Sequence, residues 1–479
     1  MATFPMRQTV RWSVCAFGVV AVWATASLWA QAPGLYGSSG ISPIAETMAQ
    51  VSSGRGSFVE LPTLFWLGAS DGFLHVVCAL AVLASVCLAA GVVPRWAALT
   101  VAVCWLSLLQ VGAPFLNFQW DLLLIEGAVL VAFLAPNGVR PFAASAFVEP
   151  SRAVRFAFAV LSCKLTLGSG IVKLASGDPT WRDLTALSWH WWTQPLPTWT
   201  SVIANAWPMP VQQALCLAMF VLELPIPLLA LGPRRARLIA AAGIVTMQAG
   251  LFVAGNYSFF NVLTAALAVP LLDDGVFGAR ELREPHGARA LSWALVGAYL
   301  VLSVVAFSRR FVVDPPLRAV LERVDPFHVV NAYGAFAVMT KNRAEIIVEG
   351  SHDGLDWRAW EFEWKPGRLD RRPDFVAPWQ PRLDWQMWFA SLGTCQGNPW
   401  LLSFQRHLLL GTPRALALLE TNPFPDRPPR YVRTTSWEYR FAPFGTPAWW
   451  TRSFVGPYCP PLAVDEAGRL RRATELEAR

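Results

Sequence analysis

The stretch Ala290-Leu-Ser-Trp293-Ala-Leu-Val-Gly-Ala-Tyr299-Leu-Val-Leu-Ser-Val-Val-Ala-Phe307-Ser-Arg309-Arg310-Phe-Val-Val-Asp314 decides how the chain divides. No charge interrupts it from Ala290 to Ser308, a length that spans the hydrocarbon core of a bilayer as a helix, and two arginines then close it. Before it, residues 1–308 hold 29 of the 71 Lys, Arg, Asp and Glu; after it, residues 309–479 hold the other 42. The whole chain of 479 residues is only 15% charged and has a mean hydropathy of +0.39, where ordinary soluble domains carry about 25% charge. Disorder, a fibrous protein, a small disulfide scaffold and a single soluble enzyme are all excluded. The division is a helical membrane domain at 1–308, a soluble domain at 309–465 and a charged, disordered tail at 466–479.

Working back from 290–307, apolar runs recur at 12–30, 72–93, 96–112, 119–136, 153–172, 211–231, 236–254 and 257–272, about nine spans in all. The runs 96–112 and 257–272 are short enough to be re-entrant. With the N-terminus inside, the inner loops receive twelve Lys and Arg, among them Arg7, Arg95, Arg155, Arg234, Arg280, Arg283 and Arg289. The outer loops receive five: Arg55, Lys173, Arg182, Arg309 and Arg310. That bias puts the soluble domain outside: the periplasm in a bacterium, the lumen of the endoplasmic reticulum in a eukaryote. The net charge of +7 then reflects loop arginines that orient the membrane domain, and nucleic acid is not an expected partner. An oxidising compartment allows the two cysteines of the tail, Cys395 and Cys459, to bridge. No Cys/His spacing of a zinc site occurs.

Ionisable groups inside spans are costly and mark either internal pairing or function. Asp121 and Glu126 lie in the fourth run, Lys164 in the fifth, Lys173 at its end and Glu223 in the sixth. Lys164 and Lys173 are nine apart, about 180° around a helix at 100° per residue, so they cannot face one site. The outer loop at 173–210 carries six tryptophans between 181 and 207. Asp178 and Thr180, ahead of Trp181-Arg182-Asp183, read as the start of a short helix. The loop is either an amphipathic helix lying on the outer leaflet, where tryptophan concentrates, or the wall of an outward groove with Lys173, His190 and Gln194 as its polar groups.

In the tail the period changes to alternation. Glu345-Ile-Ile-Val-Glu349, the turn His352-Asp353-Gly354 and Trp357–Trp364 predict a hairpin; 329–340 and Tyr431–Phe441 predict further strands. Leu383–Ala390 and 399–421 read as a helical insertion. The expected domain is a β-rich sandwich with Arg371, Arg372, Arg382, Arg427 and Arg430 bracing Asp374, Asp384 and Asp426 across its surface. Asp384, His407, Ser351 and Ser403 lack the G-x-S-x-G elbow of a serine hydrolase, and Cys395 reads as structural.

Several long motifs resemble the lipase maturation factor family. They are Tyr333-Gly-Ala-Phe-Ala-Val-Met339-Thr-Lys-Asn-Arg343-Ala-Glu345, Arg371-Arg-Pro-Asp-Phe375 through Arg382-Leu-Asp384-Trp385-Gln-Met-Trp388, and Asn422-Pro-Phe-Pro-Asp426-Arg427-Pro-Pro-Arg430. In the membrane half they are Gly168-Ser-Gly-Ile-Val-Lys173, Gly177-Asp178-Pro-Thr-Trp181-Arg182-Asp183, Thr193-Gln194-Pro195 and Gly255-Asn256-Tyr257-Ser-Phe-Phe-Asn261. The resemblance implies a non-enzymatic membrane protein that assists folding and maturation of exported clients, lipases among them, with no cofactor. Its candidate groove or client-binding set is Lys173, Asp178, Trp181, Arg182, Asp183, His190, Gln194, Asn256, Tyr257, Arg343, Arg382, Asp384, Trp385, Trp388, Asp426 and Arg427. The chain departs from the family where Trp191 and Trp192 replace a tyrosine and an acidic residue. The membrane half also bears a weaker likeness to the transmembrane domain of vitamin K-dependent gamma-carboxylases. Under that alternative Lys173 would be the base acting on a quinol-like cofactor, a quinone being its only expected companion.

Overall fold

The computed structural model describes residues 4–54, 56–142, 147–280, 290–314 and 316–477. Arg55, Arg283 and Arg289 of the loop-charge argument, and the last two residues of the tail, lie outside them. The apolar runs fold as α1 (Arg7–Tyr36), α3 (Asp71–Ala89), α4 (Pro94–Val111), α5 (Gln119–Leu134), α6 (Arg152–Ala175), α10 (Met209–Glu223), α12 (Arg234–Ala254), α13 (Phe260–Ala268) and α14 (Ala290–Ser308). Shorter helices join them: α2 (Ile44–Ser53), α7 (Pro179–Arg182), α8 (Ala186–Thr193), α9 (Trp199–Asn205) and α11 (Pro225–Leu228). Among the described residues, seven helical segments are long and apolar enough to cross a membrane; α10 counts among them because it continues through α11 to Leu231. The 16-residue α5, with two carboxylates, and the apolar segment Phe260–Leu271 fall below that length. The run at 96–112, short enough to be re-entrant on sequence grounds, is a full 18-residue helix.

Helix starts follow their caps. Ser70 accepts the N–H of Phe73 at the head of α3, and Ser151 that of Val154 at the head of α6. Gly18 lets α1 lie directly on the end of α3: a Cβ there would sit 2.2 Å from the Ala89 nitrogen.

The bundle has two poles. At one, the head of α1 meets the chain after α5 and α13. Arg7 donates to the Phe142 carbonyl (2.7 Å), Arg95 to that of Ala135 (2.9 Å), Thr9 to Asp274 (2.9 Å), and Arg234 pairs with Asp273 (2.8 Å). At the other, the end of α1 and the heads of α3 and α5 meet the C-terminal third. Gln31 donates to the Gln380 carbonyl (2.7 Å), Asp71 pairs with Arg414, and Asp121 pairs with Arg382.

After α14 come α15 (Arg318–Val324), β1 (Ala344–Ser351), β2 (Arg358–Ala359), α16 (Arg382–Ser391), α17 (Pro399–Leu409), α18 (Pro413–Leu416), β3 (Tyr431–Phe441), β4 (Trp450–Val464), β5 (Leu470–Arg472) and α19 (Ala473–Glu477). The strands form one antiparallel sheet in the order β2-β1-β3-β4-β5. Its register runs from Ala344 opposite Glu438 to Ser351 opposite Tyr431. The first strand of the hairpin and the strand at 431–441 are where the alternation put them, but the second strand shrinks from 357–364 to Arg358–Ala359.

Three expectations are corrected. The described residues hold a single sheet rather than a sandwich. Helices α16 and α17 cover one face through Leu383, Met387, Leu401 and Phe404, and the other keeps a small cluster of Ile347, Tyr439 and Trp450. Residues 329–340 are not a strand but an irregular connector, with Phe336 at φ 55° breaking the extended run. The tail at 466–477 is ordered, β5 pairing with the end of β4. The two halves share one apolar cluster, from Met6 and Val10 through Trp120 and Trp385 to Cys459. Cys395 and Cys459 are joined by a disulfide that ties the turn before α17 to β4, with Cα atoms 5.5 Å apart.

Candidate functional site

The sequence-marked residues gather at the pole where the C-terminal third docks. Small residues on α6 make room for the contact. A Cβ on Gly168 would lie 2.6 Å from the Tyr333 carbonyl, and one on Gly170 would meet Leu224 at 2.7 Å. The connector therefore lies against α6.

Three buried ion pairs define the site. Lys173 donates both to Oε1 (2.6 Å) and to Oε2 (2.8 Å) of Glu223, with its ammonium 5.4 Å from the Trp181 ring centre. Lys164 pairs with Glu126, whose carboxylate also accepts from Tyr299 (2.6 Å), Tyr333 (2.5 Å) and Asn331 (3.0 Å). Helix α14 and the connector thus converge on one carboxylate of α5. Arg382 donates to Asp121 (2.9 and 3.2 Å) and to the Phe115 carbonyl (2.8 Å), with neither partner's side chain exposed. The two lysines occupy separate pairs, as their helical phase requires. Asp121 does not pair inside the membrane half; its cation comes from the C-terminal third.

The Trp-rich loop folds as three short helices packed inward. Asp178 caps α7, accepting from Thr180, and its other oxygen accepts the Met339 N–H (2.7 Å). Burial pushes its carboxyl up, but those donors outweigh it and hold it below the usual range. Trp181 is buried and donates to the Phe336 carbonyl (3.1 Å), while Arg182 and Asp183 are exposed. His190 meets the Tyr257 hydroxyl (2.7 Å), which donates to Gln194 (2.8 Å). With that proton spent on Gln194, the bond requires a His190 that carries a proton on Nε2 and donates from it. A helix lying wholly on the leaflet surface is not what forms, because Trp181, Trp191, Trp192, His190 and Gln194 are buried, while Trp207 stays exposed.

Arg343 is buried and donates to the carbonyls of Trp192 (2.9 Å), Gln194 (2.5 Å) and Pro195 (2.8 Å). It also pairs with Glu345, which Lys365 pairs from the other side. Asn256 donates to the Asp374 carbonyl (2.7 Å) and accepts from Val376 (2.8 Å) and Ala377 (3.1 Å). Trp388 donates to the Thr193 carbonyl (3.0 Å), and Trp385 lies edge-on to Trp120, 4.9 Å between centres. Asp384 accepts from the N–H groups of Trp364 and Lys365 (both 2.8 Å); burial nonetheless pushes its carboxyl up to about 6.

The cross-braced surface is also corrected. Arg371 pairs with Glu420 and Arg372 with Asp374, but Arg382 leaves the surface for Asp121, and Asp426 and Arg427 stand exposed away from the site. Tyr299, Asn331 and Lys365 carry no role in the sequence reading, and Tyr333 enters it only as the start of a motif. The buried partners their neighbours needed were the available signal.

Among the described residues the candidate nucleophiles are otherwise engaged. Cys395 is bridged, Ser403 donates to the Ile41 carbonyl (2.7 Å) and His407 meets Thr412 (3.0 Å). The geometry defines a polytopic membrane protein whose C-terminal β-sheet domain is locked to one pole by the buried Arg382–Asp121 pair and by the hydrogen bonds of Arg343, Asn256 and Trp388. The profile of the lipase maturation factor transmembrane domain matches residues 6–279, and that of the family's C-terminal domain matches 329–460. Lipase maturation factor 2 of Gallus gallus is 31% identical over 92% of this chain and 80% of its own length; that of Homo sapiens is 31% identical over 94% and 82%. Lipase maturation factor 1 of Homo sapiens is 33% identical over 76% of the chain and 70% of its own. No solved structure matches. The chain belongs to the lipase maturation factor family. The gamma-carboxylase-like alternative is not favoured: both carboxylate oxygens of Glu223 already hold the Lys173 ammonium.

The buried histidine gives a pH dependence. Burial, and secondarily the Lys173 charge, push His190 down to about 4 from an ordinary value near 6.5. A released His190 takes up a proton below about 6.5, whereas the docked one does so only near 4, so docking weakens as pH falls through that window. Asp384 acts oppositely: its raised value contributes stability that is lost as pH rises from about 4 to 6. His190→Gln keeps a donor for Tyr257 and removes the titration. The thermal midpoint of the wild type is expected to fall relative to the variant between pH 6.5 and 4.5; parallel curves would refute the assignment.

Proposed function

We propose that this protein is a membrane-embedded maturation factor for exported proteins, lipases in particular, and that its C-terminal domain works on the side away from the cytoplasm. The observation that carries this reading is the family match over both halves of one chain. The membrane half passes nine times between the two poles in this reading, with α5 and α13 as short passes. Support comes from the alternation of contacts, since α1, α4, α6, α12 and α14 run toward the C-terminal domain and α3, α5, α10 and α13 run away from it. The pole opposite that domain carries Arg7, Arg95, Arg152, Arg155, Arg234 and Arg237, the distribution expected of a cytoplasmic face. Lys173, Asp178, His190, Gln194, Asn256, Tyr257, Arg343, Arg382, Trp385 and Trp388 serve as the hinge-free mount of the client-facing domain rather than as the client surface. Arg182, Asp183, Asp426 and Arg427 are its exposed contacts.

Deletion of the gene is expected to leave exported lipases synthesised but inactive, restored by the wild-type chain; unchanged specific activity of the exported lipases would refute the reading. Alkaline phosphatase fused after Arg472 should be active, and a silent fusion beside a fluorescent cytosolic reporter would reverse the orientation.

A further inference from the structure

A hollow of about 310 Å³ opens where α8 meets the end of β3, lined by Ser188, Trp189, Trp192, Asn205, Arg440 and Phe441. It is not the groove expected from the sequence, because Lys173, His190 and Gln194 face away from it into the buried site. Its polar groups include several unspent donors. The Trp189 indole N–H and the Asn205 amide make no hydrogen bond among the described residues. Arg440 sits 5.5 Å from the Trp192 ring centre and is two-thirds exposed; its Nε and Nη2 go to Glu438, leaving Nη1 open. The Ser188 and Trp192 donors are already used on the Thr185 and Ser188 carbonyls. Unspent donors flanked by aromatic faces, with no carboxylate among the lining residues, suit an anion that carries an apolar body.

The level of the hollow says which anion. Asn205 ends α9 four residues before Met209, where the membrane-crossing segment Met209–Leu231 begins. Ile203, Trp207 and Met209 beside it are exposed apolar side chains at the place where tryptophans meet the lipid headgroups. We propose that this hollow seats the phosphodiester headgroup of an anionic phospholipid of the leaflet facing the C-terminal domain. One headgroup oxygen takes the Trp189 and Asn205 donors and another takes Arg440. The inference goes beyond client maturation and does not depend on it. It would fix the distance between the domain and the bilayer surface.

The test uses the purified full chain in detergent with dioleoylphosphatidylglycerol as probe, counting retained lipid by native mass spectrometry and reading the thermal midpoint. Dioleoylphosphatidylcholine and inorganic phosphate are run as separate arms. Phosphatidylglycerol is expected to be retained and to raise the midpoint more than either. Arg440→Gln and Asn205→Ala should each lower retention roughly ten-fold, the equivalent of one charge-assisted hydrogen bond, with the lipid-free midpoint unmoved. Equal retention by wild type and both variants overturns the proposal. So does an equal midpoint shift with inorganic phosphate, which would make the hollow a free-anion site. Loss of binding in the variants with an unfolded apolar polypeptide as probe, but not with lipid, overturns it too.

Discussion

Arg382→Leu is expected to release the C-terminal domain from its pole, with a loss of about 3–5 kcal/mol, the usual consequence of removing one partner of a buried ion pair. The reason lies with Asp121. Its carboxylate is fully buried at the head of α5, and with Arg382 gone it keeps only the N–H groups of Asn117 (3.2 Å) and Phe118 (3.1 Å). The Phe115 carbonyl and the Trp105 ring lose the guanidinium as well. The measurement is the thermal midpoint in detergent together with tryptic release of the C-terminal domain. Asp121→Leu combined with Arg382→Leu removes both charges, so the double variant should be markedly more stable than Arg382→Leu alone. A single variant that unfolds like wild type would show that the pair does not hold the halves together. The same physics makes truncation after Arg310 a poor test of function. Such a truncate loses Arg382, Asn331 and Tyr333 together, leaving Asp121 without its cation and Glu126 without two donors.

The readable and unreadable parts of this chain separate by range. Apolar runs, the β1–β2 turn and the Asp178 cap are local, and the sequence states them directly. The pair Arg382–Asp121 spans 261 positions, and nothing in either neighbourhood specifies the other. Sequence reasoning gave Arg382 a surface acid because acids were nearby. The error at 329–340 has the same origin. Tyr333, Phe336 and Met339 recur every third residue rather than every second, and they contact Glu126, His190 and the Asp178 cap in the membrane half rather than a neighbouring strand. β4 escaped notice because Gly456, Pro457, Pro460 and Pro461 read as breakers. In place they sit on a strand with register shifts and a largely unpaired outer edge, where proline is tolerated.

Arg343→Lys should also be severe, although it keeps the charge. A guanidinium reaches the carbonyls of Trp192, Gln194 and Pro195 and the carboxylate of Glu345 at once, all within 2.9 Å; an ammonium on a shorter stem cannot. At least two buried acceptors lose their donor at about 1–3 kcal/mol each, so a loss on the order of 2–5 kcal/mol is expected. The segment 192–195 carries the end of α8, and with it the Trp192 wall of the hollow and the Gln194 acceptor of Tyr257. Hydrogen exchange of 190–198 should therefore accelerate in Arg343→Lys while that of α3 and α4 stays put; unchanged protection there would refute the clamp. Trp192→Ala makes the complementary case. Arg343 takes the backbone carbonyl at 192, so the acidic residue that relatives are expected to carry near this position is not needed for the clamp. The variant should keep the domain docked and lose only the wall of the hollow.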